Sequence, residues 1–148
     1  MQTLTKTTKR AGASPAESII NDAPRNIPDM PVGEVKAQGD LLFVSIATLP
    51  TGAKSRKNRQ LAEGTTQGSR HVAETGKVFD ASPTEVAKLI KKATGKDVQE
   101  RYIGPVIVGP SNITHPEHGH HNYEGECVLA VVFQRVLDAE EREIRALD

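Results

Sequence analysis

Two short apolar runs constrain the fold of this chain more than any other feature. Gly39-Asp40-Leu41-Leu42-Phe43-Val44-Ser45-Ile46 starts abruptly after polar residues and stops at Leu49-Pro50. Cys127-Val128-Leu129-Ala130-Val131-Val132-Phe133 is the longest apolar stretch in the sequence. Both are far shorter than the ~20 residues a membrane-spanning helix needs, and both lack a helical period. The first reads as a buried strand with apolar residues on both faces. The second reads as a long strand from Cys127 to Val136.

The punctuation around these runs is that of a β-rich chain. Thr51-Gly52-Ala53-Lys54 and Gly109-Pro110 are turn signals, and Gly64 and Gly68 bound another. Short strand candidates lie between them: Gln60 to Glu63, Ser69 to Ala73, Lys77 to Phe79, Arg101 to Ile103 and Val106 to Val108. Gly104-Pro105 interrupts the last two. The period changes once. Ser82-Pro83-Thr84-Glu85 is a capping box with Pro at the first helical position. Val86, Leu89, Ile90 and Ala93 follow at helical spacing, and Gly95 stands where a C-terminal cap belongs. Lys88, Lys91, Lys92 and Lys96 form its outward face. Asp138-Ala139-Glu140-Glu141 predicts a closing helical turn with Ile144 and Leu147. The expected fold is mainly β, a small β-barrel or β-sandwich with one inserted α-helix at about residues 82–95 and an extended N-terminal arm.

The arm is expected to end at Gln38, leaving residues 39–148 as the compact β-rich domain. Residues 1–38 hold Pro15, Pro24, Pro28 and Pro31 and only scattered apolar side chains. Such a stretch cannot bury enough surface by itself to offset its ordering entropy. Ser14-Pro15-Ala16-Glu17 predicts a short helix within it, carrying Ile19 and Ile20.

Charge excludes some partners. Lys plus Arg and Asp plus Glu each number 19, so the chain as a whole attracts neither nucleic acid nor an anionic membrane. Local patches remain: Lys6, Lys9 and Arg10 in the arm, and Lys54, Arg56, Lys57 and Arg59 after the first buried strand. Neither patch is interleaved with aromatics, which make up only 3% of the chain, so base stacking has few candidates. The single cysteine, Cys127, forbids an internal disulfide and, within an apolar run, reads as a core residue. The first ten residues lack an apolar leader segment, so a soluble, reducing compartment is expected.

Chemistry has one conspicuous candidate. His115-Pro116-Glu117-His118-Gly119-His120-His121 places four imidazoles in seven residues. One reading is a solvated polar loop that charges as pH falls through about 6.5. The other is a divalent metal site, with His71, His115 and His118 as ligands and Glu117 or His120 completing the set. Nucleophilic and phosphate-binding motifs are missing: no Gly-x-Ser-x-Gly elbow occurs, and Gly64-Thr65-Thr66-Gln67-Gly68-Ser69 has no P-loop lysine.

Taken in order, Gln38-Gly39-Asp40-Leu41-Leu42, Leu49-Pro50-Thr51-Gly52-Ala53-Lys54, Leu61-Ala62-Glu63-Gly64, His115-Pro116-Glu117-His118-Gly119 and Gln134-Arg135 resemble a group of small phage and bacterial β-proteins. Members typically carry Thr-Gly-His-x-His where this chain has Thr66-Gln67-Gly68-Ser69-Arg70-His71, so only His71 matches. The resemblance runs from Gln38 to the end of the chain and leaves the arm outside it. A phage connection would suit an armed β-domain, the build of head decoration (cement) proteins. It implies a non-enzymatic virion protein, assembled in the host cytoplasm, that stabilises a capsid or another assembly as a homo-oligomer. On that reading Lys6, Lys9, Arg10, Ile19, Ile20, Lys54, Arg56, Lys57 and Arg59 meet the partner, and neither a cofactor, a membrane nor a nucleic acid is expected. The alternative is a small metal-binding β-barrel, open to metal-dependent catalysis, that uses the His-rich loop.

Overall fold

Alternation along each strand decides which layer it joins. In β3 (Leu41–Ile46) every residue is buried, but the two faces serve different cores. Leu41 and Phe43 enter one apolar cluster, and Leu42, Val44 and Ile46 enter the other. The same holds in β10 (Val128–Phe133), where Leu129 and Val131 face the first cluster and Ala130 and Val132 the second. A strand covered on both sides has to lie at the centre of a layered fold. These two are adjacent and antiparallel, with Val128 opposite Ile46 and Phe133 opposite Leu41.

The computed structural model describes residues 24–62, 71–137 and 143–145. Among the described residues it is mainly β, with two packed sheets, a separate two-stranded ribbon and one α-helix, a sandwich rather than a closed barrel. The larger sheet runs β2 (Val35–Gln38), β3, β10, β7 (Ile103–Val108), β6 (Lys77–Asp80) and β4 (Lys54–Ser55). The smaller runs β1 (Arg25–Ile27), β9 (His121–Tyr123), β8 (Ser111–Thr114) and β5 (Val72–Ala73). Among the described strands, only the β1–β9 pairing is parallel. The first cluster lies between the sheets and includes Phe43, Leu61, Ile107, Ile113 and Tyr123. The second lies between the larger sheet and helix α1 (Pro83–Thr94), which presents Val86 and Ile90 to it.

The helix is bounded as its sequence predicts. The Ser82 hydroxyl accepts from the Glu85 backbone N–H at 3.4 Å, and Gly95 closes the other end with φ of 79°. Other expectations shift. The division does not fall at Gln38: β1 and β2 are strands of the two sheets, and Ile27 and Met30 are core residues. Ser45 Oγ also donates to the Met30 carbonyl at 2.8 Å. Gly104-Pro105 does not break β7, which runs through them with a register irregularity opposite Val131. Arg101 and Tyr102 belong to a preceding 3-10 turn instead. The strand expected from Cys127 to Val136 is divided between β10 and β11 (Arg135–Leu137). Glu143–Arg145 is not helical. It forms β12 and pairs with β11, so cross-strand pairing wins over the local capping signal there. The helix expected after Ser14, the turn at Gly64–Gly68 and the capping box at Asp138 lie outside the described residues.

Candidate functional site: a buried imidazole cluster

The histidine-rich segment is solvated only in part. His71 is 1% exposed, His121 3% and His115 4%, whereas His118 is half-buried and His120 exposed. The reason is topological. His71 directly precedes β5, His115 follows β8, and β8 pairs with both β5 and β9. Residues 44 apart in sequence therefore arrive side by side at one end of the smaller sheet. The rings of His71 and His115 stack at 4.3 Å between centroids and those of His115 and His118 at 4.7 Å, tilted by 46° and 39°. His121 turns elsewhere, bonding through Nδ1 to the Tyr123 hydroxyl at 3.1 Å and packing on Phe43.

One side chain from the opposite sheet orders the cluster. The Gln38 amide nitrogen donates to the carbonyls of Ile113, at 3.0 Å, and Gly119, at 2.9 Å. Those two bonds set the amide orientation and leave its oxygen as an acceptor facing His71 Nδ1 at 3.0 Å. Nδ1 of His71 therefore carries the proton and Nε2 holds a lone pair. That lone pair is buried and has no hydrogen-bond partner among the described residues. His115 is oriented the other way: its Nδ1 accepts from the Glu117 backbone N–H at 2.9 Å, so the proton sits on Nε2.

Gly39 shapes the floor. It holds φ of +57° in the turn between β2 and β3. A methyl group there would come within 2.7 Å of His118 Nε2 and 3.4 Å of His71 Cε1. Glycine thus serves twice, for the left-handed turn and for the close approach of two imidazoles.

Electrostatics keep the interior neutral. Burial, with the adjoining imidazoles of His115, His118 and His121, lowers His71 to about 3. Burial, with the cations Arg25 and Lys36, lowers His121 to about 4. Burial also raises the Tyr123 phenol and the Cys127 thiol above their ordinary values. Cys127 is half-buried and packs against the edge of the inter-sheet core rather than within it.

The structure brings together His71, His115 and His118 of the expected ligands, and leaves Glu117 and His120 exposed. Among the described residues no three His, Cys, Asp or Glu side chains already stand at metal-holding spacing. Gln38 and Gly39 were visible in the sequence only as a boundary and a strand start; nothing local marks a glutamine as the partner of a histidine 33 residues on.

The basic patch after β3 is partly built into the fold. Arg59 donates to the carbonyls of Ala73 and Gly76 at 2.6 Å and 2.5 Å. Arg56 reaches the Gln60 carbonyl at 3.2 Å and Asp80 at 3.4 Å. Lys54 and Lys57 are exposed, while Lys6, Lys9, Arg10, Ile19 and Ile20 lie outside the described residues. No helix among the described residues is long and apolar enough to cross a membrane. Comparison with protein-family models, with curated proteins and with solved structures returns no match to this chain.

Proposed function

We propose that this chain is a non-enzymatic structural protein that associates with copies of itself and with a larger assembly, a phage head being the assembly to which its sequence resemblance points. The edge of β2 carries this reading. Among the described strands, β2 ends the larger sheet. The Glu34 carbonyl accepts from the Ser45 N–H at 2.9 Å, so alternate residues point their backbone groups at β3 and those of Val35 and Ala37 point away from it. Val32 and Val35 are the exposed large hydrophobics among the described residues, at 56% and 40%. Native edge strands are usually blunted, so an edge that presents an exposed Val35 favours strand addition.

The edge is also self-complementary. Glu34 and Lys36 are paired at 2.8 Å within one chain. Antiparallel pairing of two β2 strands about Val35 sets Val35 against Val35, and Glu34 of one copy against Lys36 of the other. That is the pattern of a two-fold, isologous contact. On a lattice, many such weak contacts add through avidity. The exposed side chains Lys54 and Lys57, with Lys6, Lys9 and Arg10, are then assigned to the surface of the host assembly, whereas Arg56 and Arg59 are engaged within the fold.

Native mass spectrometry and light scattering test this directly. The wild-type chain is expected to form a dimer or a higher even oligomer. Val35→Asp should reduce it to monomer with little change in thermal midpoint, because the side chain is exposed. A wild-type chain that stays monomeric at its highest soluble concentration overturns the reading, and so does an oligomer that survives Val35→Asp.

A further inference from the structure

His71 poses a chemical question that the assembly reading leaves untouched. A buried acceptor without a partner is costly, and native folds keep very few of them. Here the orphan is an imidazole nitrogen whose tautomer is set by Gln38, itself held by two carbonyls. Histidines that bind metal have this arrangement: one ring nitrogen donates to a fixed acceptor, and the other keeps its lone pair for the ion. The ring of His115 packs against that of His71, and the ring of His118 against that of His115. His71 Cε1 and His118 Nε2 both abut the same point above Gly39, within about 6 Å of one another. Glycine at that point keeps the space between them clear of a side chain.

We propose that this cluster is a site for a divalent transition-metal ion of the zinc, nickel or copper class, with His71 Nε2 and the His118 imidazole as its protein ligands. Gln38 is a positioning residue that acts through His71. His115 is the wall on which both ligand rings pack, because its Nε2 carries a proton while its Nδ1 is bonded to Glu117. Two nitrogens bound to one tetrahedral ion lie roughly 3.3 Å apart, given metal–nitrogen bonds of about 2.0–2.1 Å. His71 is fixed in the core, so His118, half-buried on the loop between β8 and β9, is the ring that moves inward. Two protein ligands leave the remaining positions to water or to a donor from a partner. Imidazole ligands select borderline metals over calcium and magnesium, which take oxygen.

The test uses the full, untagged chain stripped of metal with chelator. Zinc titration by calorimetry should show one equivalent bound, and cobalt should develop visible absorption. His118→Ala should lower the affinity at least tenfold, whereas His120→Ala, in the exposed neighbour, should leave it unchanged. Gln38→Leu should lower it by about 10- to 100-fold, as loss of an outer-shell partner does. Replacing the buried His71 risks the fold, so its role is read in the wild type. Long-range proton–nitrogen NMR should show the Nδ1–H tautomer before zinc and a shifted Nε2 resonance after it. Calcium should have no effect. The proposal is overturned if the wild type takes up no ion, if His118→Ala binds as tightly as wild type, or if the His71 Nε2 resonance does not move. Val35→Asp should retain full ion uptake, which separates this site from the assembly edge.

Discussion

His71 and His121 are held neutral in the interior for related reasons, and that has a measurable consequence. The folded chain holds them down to about 3 and about 4, from an ordinary 6.5, chiefly because burial disfavours the imidazolium. Between those values and 6.5 the unfolded chain binds more protons than the folded one. Stability is therefore complete above about pH 6.5 and is lost as pH falls. The slope approaches ~1.4 kcal/mol per pH unit for each histidine. Urea midpoints should drop steadily from pH 7 to pH 5, a window above the range where exposed carboxylates titrate. His120→Ala should keep that drop, because its side chain is exposed. A flat profile over this window would contradict burial of the two imidazoles. Four clustered histidines were legible in the sequence, but their burial was not. Hydropathy assigns His115-Pro116-Glu117-His118 to solvent, and only the pairing of β8 with β5 and β9 takes His115 and His121 inside.

Elements differed in how far their local signals carried. Helix α1 is set by its own residues: a capping hydroxyl at Ser82, proline at its start, Val86 and Ile90 one turn apart, and Gly95 in the left-handed region. A side chain on Gly95 would meet nothing within 4 Å, so Gly95→Ala isolates the backbone cost. It should lower stability by about 1 kcal/mol without altering the fold, measured by chemical denaturation. The segment Glu143–Arg145 behaves oppositely. Its upstream capping box favours a helix, yet Arg135–Leu137 offers a partner strand and the pair forms an antiparallel ribbon. A closing helical turn or two stabilises too little to compete with cross-strand bonding. Strand β7 makes the same point, since Gly104-Pro105 reads as a break while the neighbouring β10 supplies the continuity.

At the scale of the whole molecule, the N-terminal region contributes to the body of the fold from Arg25 onward. Removing residues 1–31 strips β1 from β9, takes Ile27 and Met30 out of the inter-sheet core, and leaves the Ser45 hydroxyl without its acceptor. Loss of two buried aliphatic side chains alone costs several kcal/mol, about 2–5 for each. That truncation should abolish or severely broaden the thermal unfolding transition. A chain lacking residues 1–31 that unfolds as cooperatively as the full one would show that β1 is dispensable.

What the sequence by itself determined is the set of strongly local outcomes. Two runs buried on both faces required a layered β fold, and one stretch with a helical period and two caps required a helix, because short-range sterics and periodic burial are written in neighbouring residues. What only the tertiary structure decided is where distant segments meet. Gln38 reaches His71 and Ile113, and Gly39 lies under His71 and His118, through contacts up to 79 residues apart that no local pattern encodes. Registry between strands, set by the burial of whole faces, converts a row of histidines in a polar segment into a buried cluster with one lone pair left unbonded.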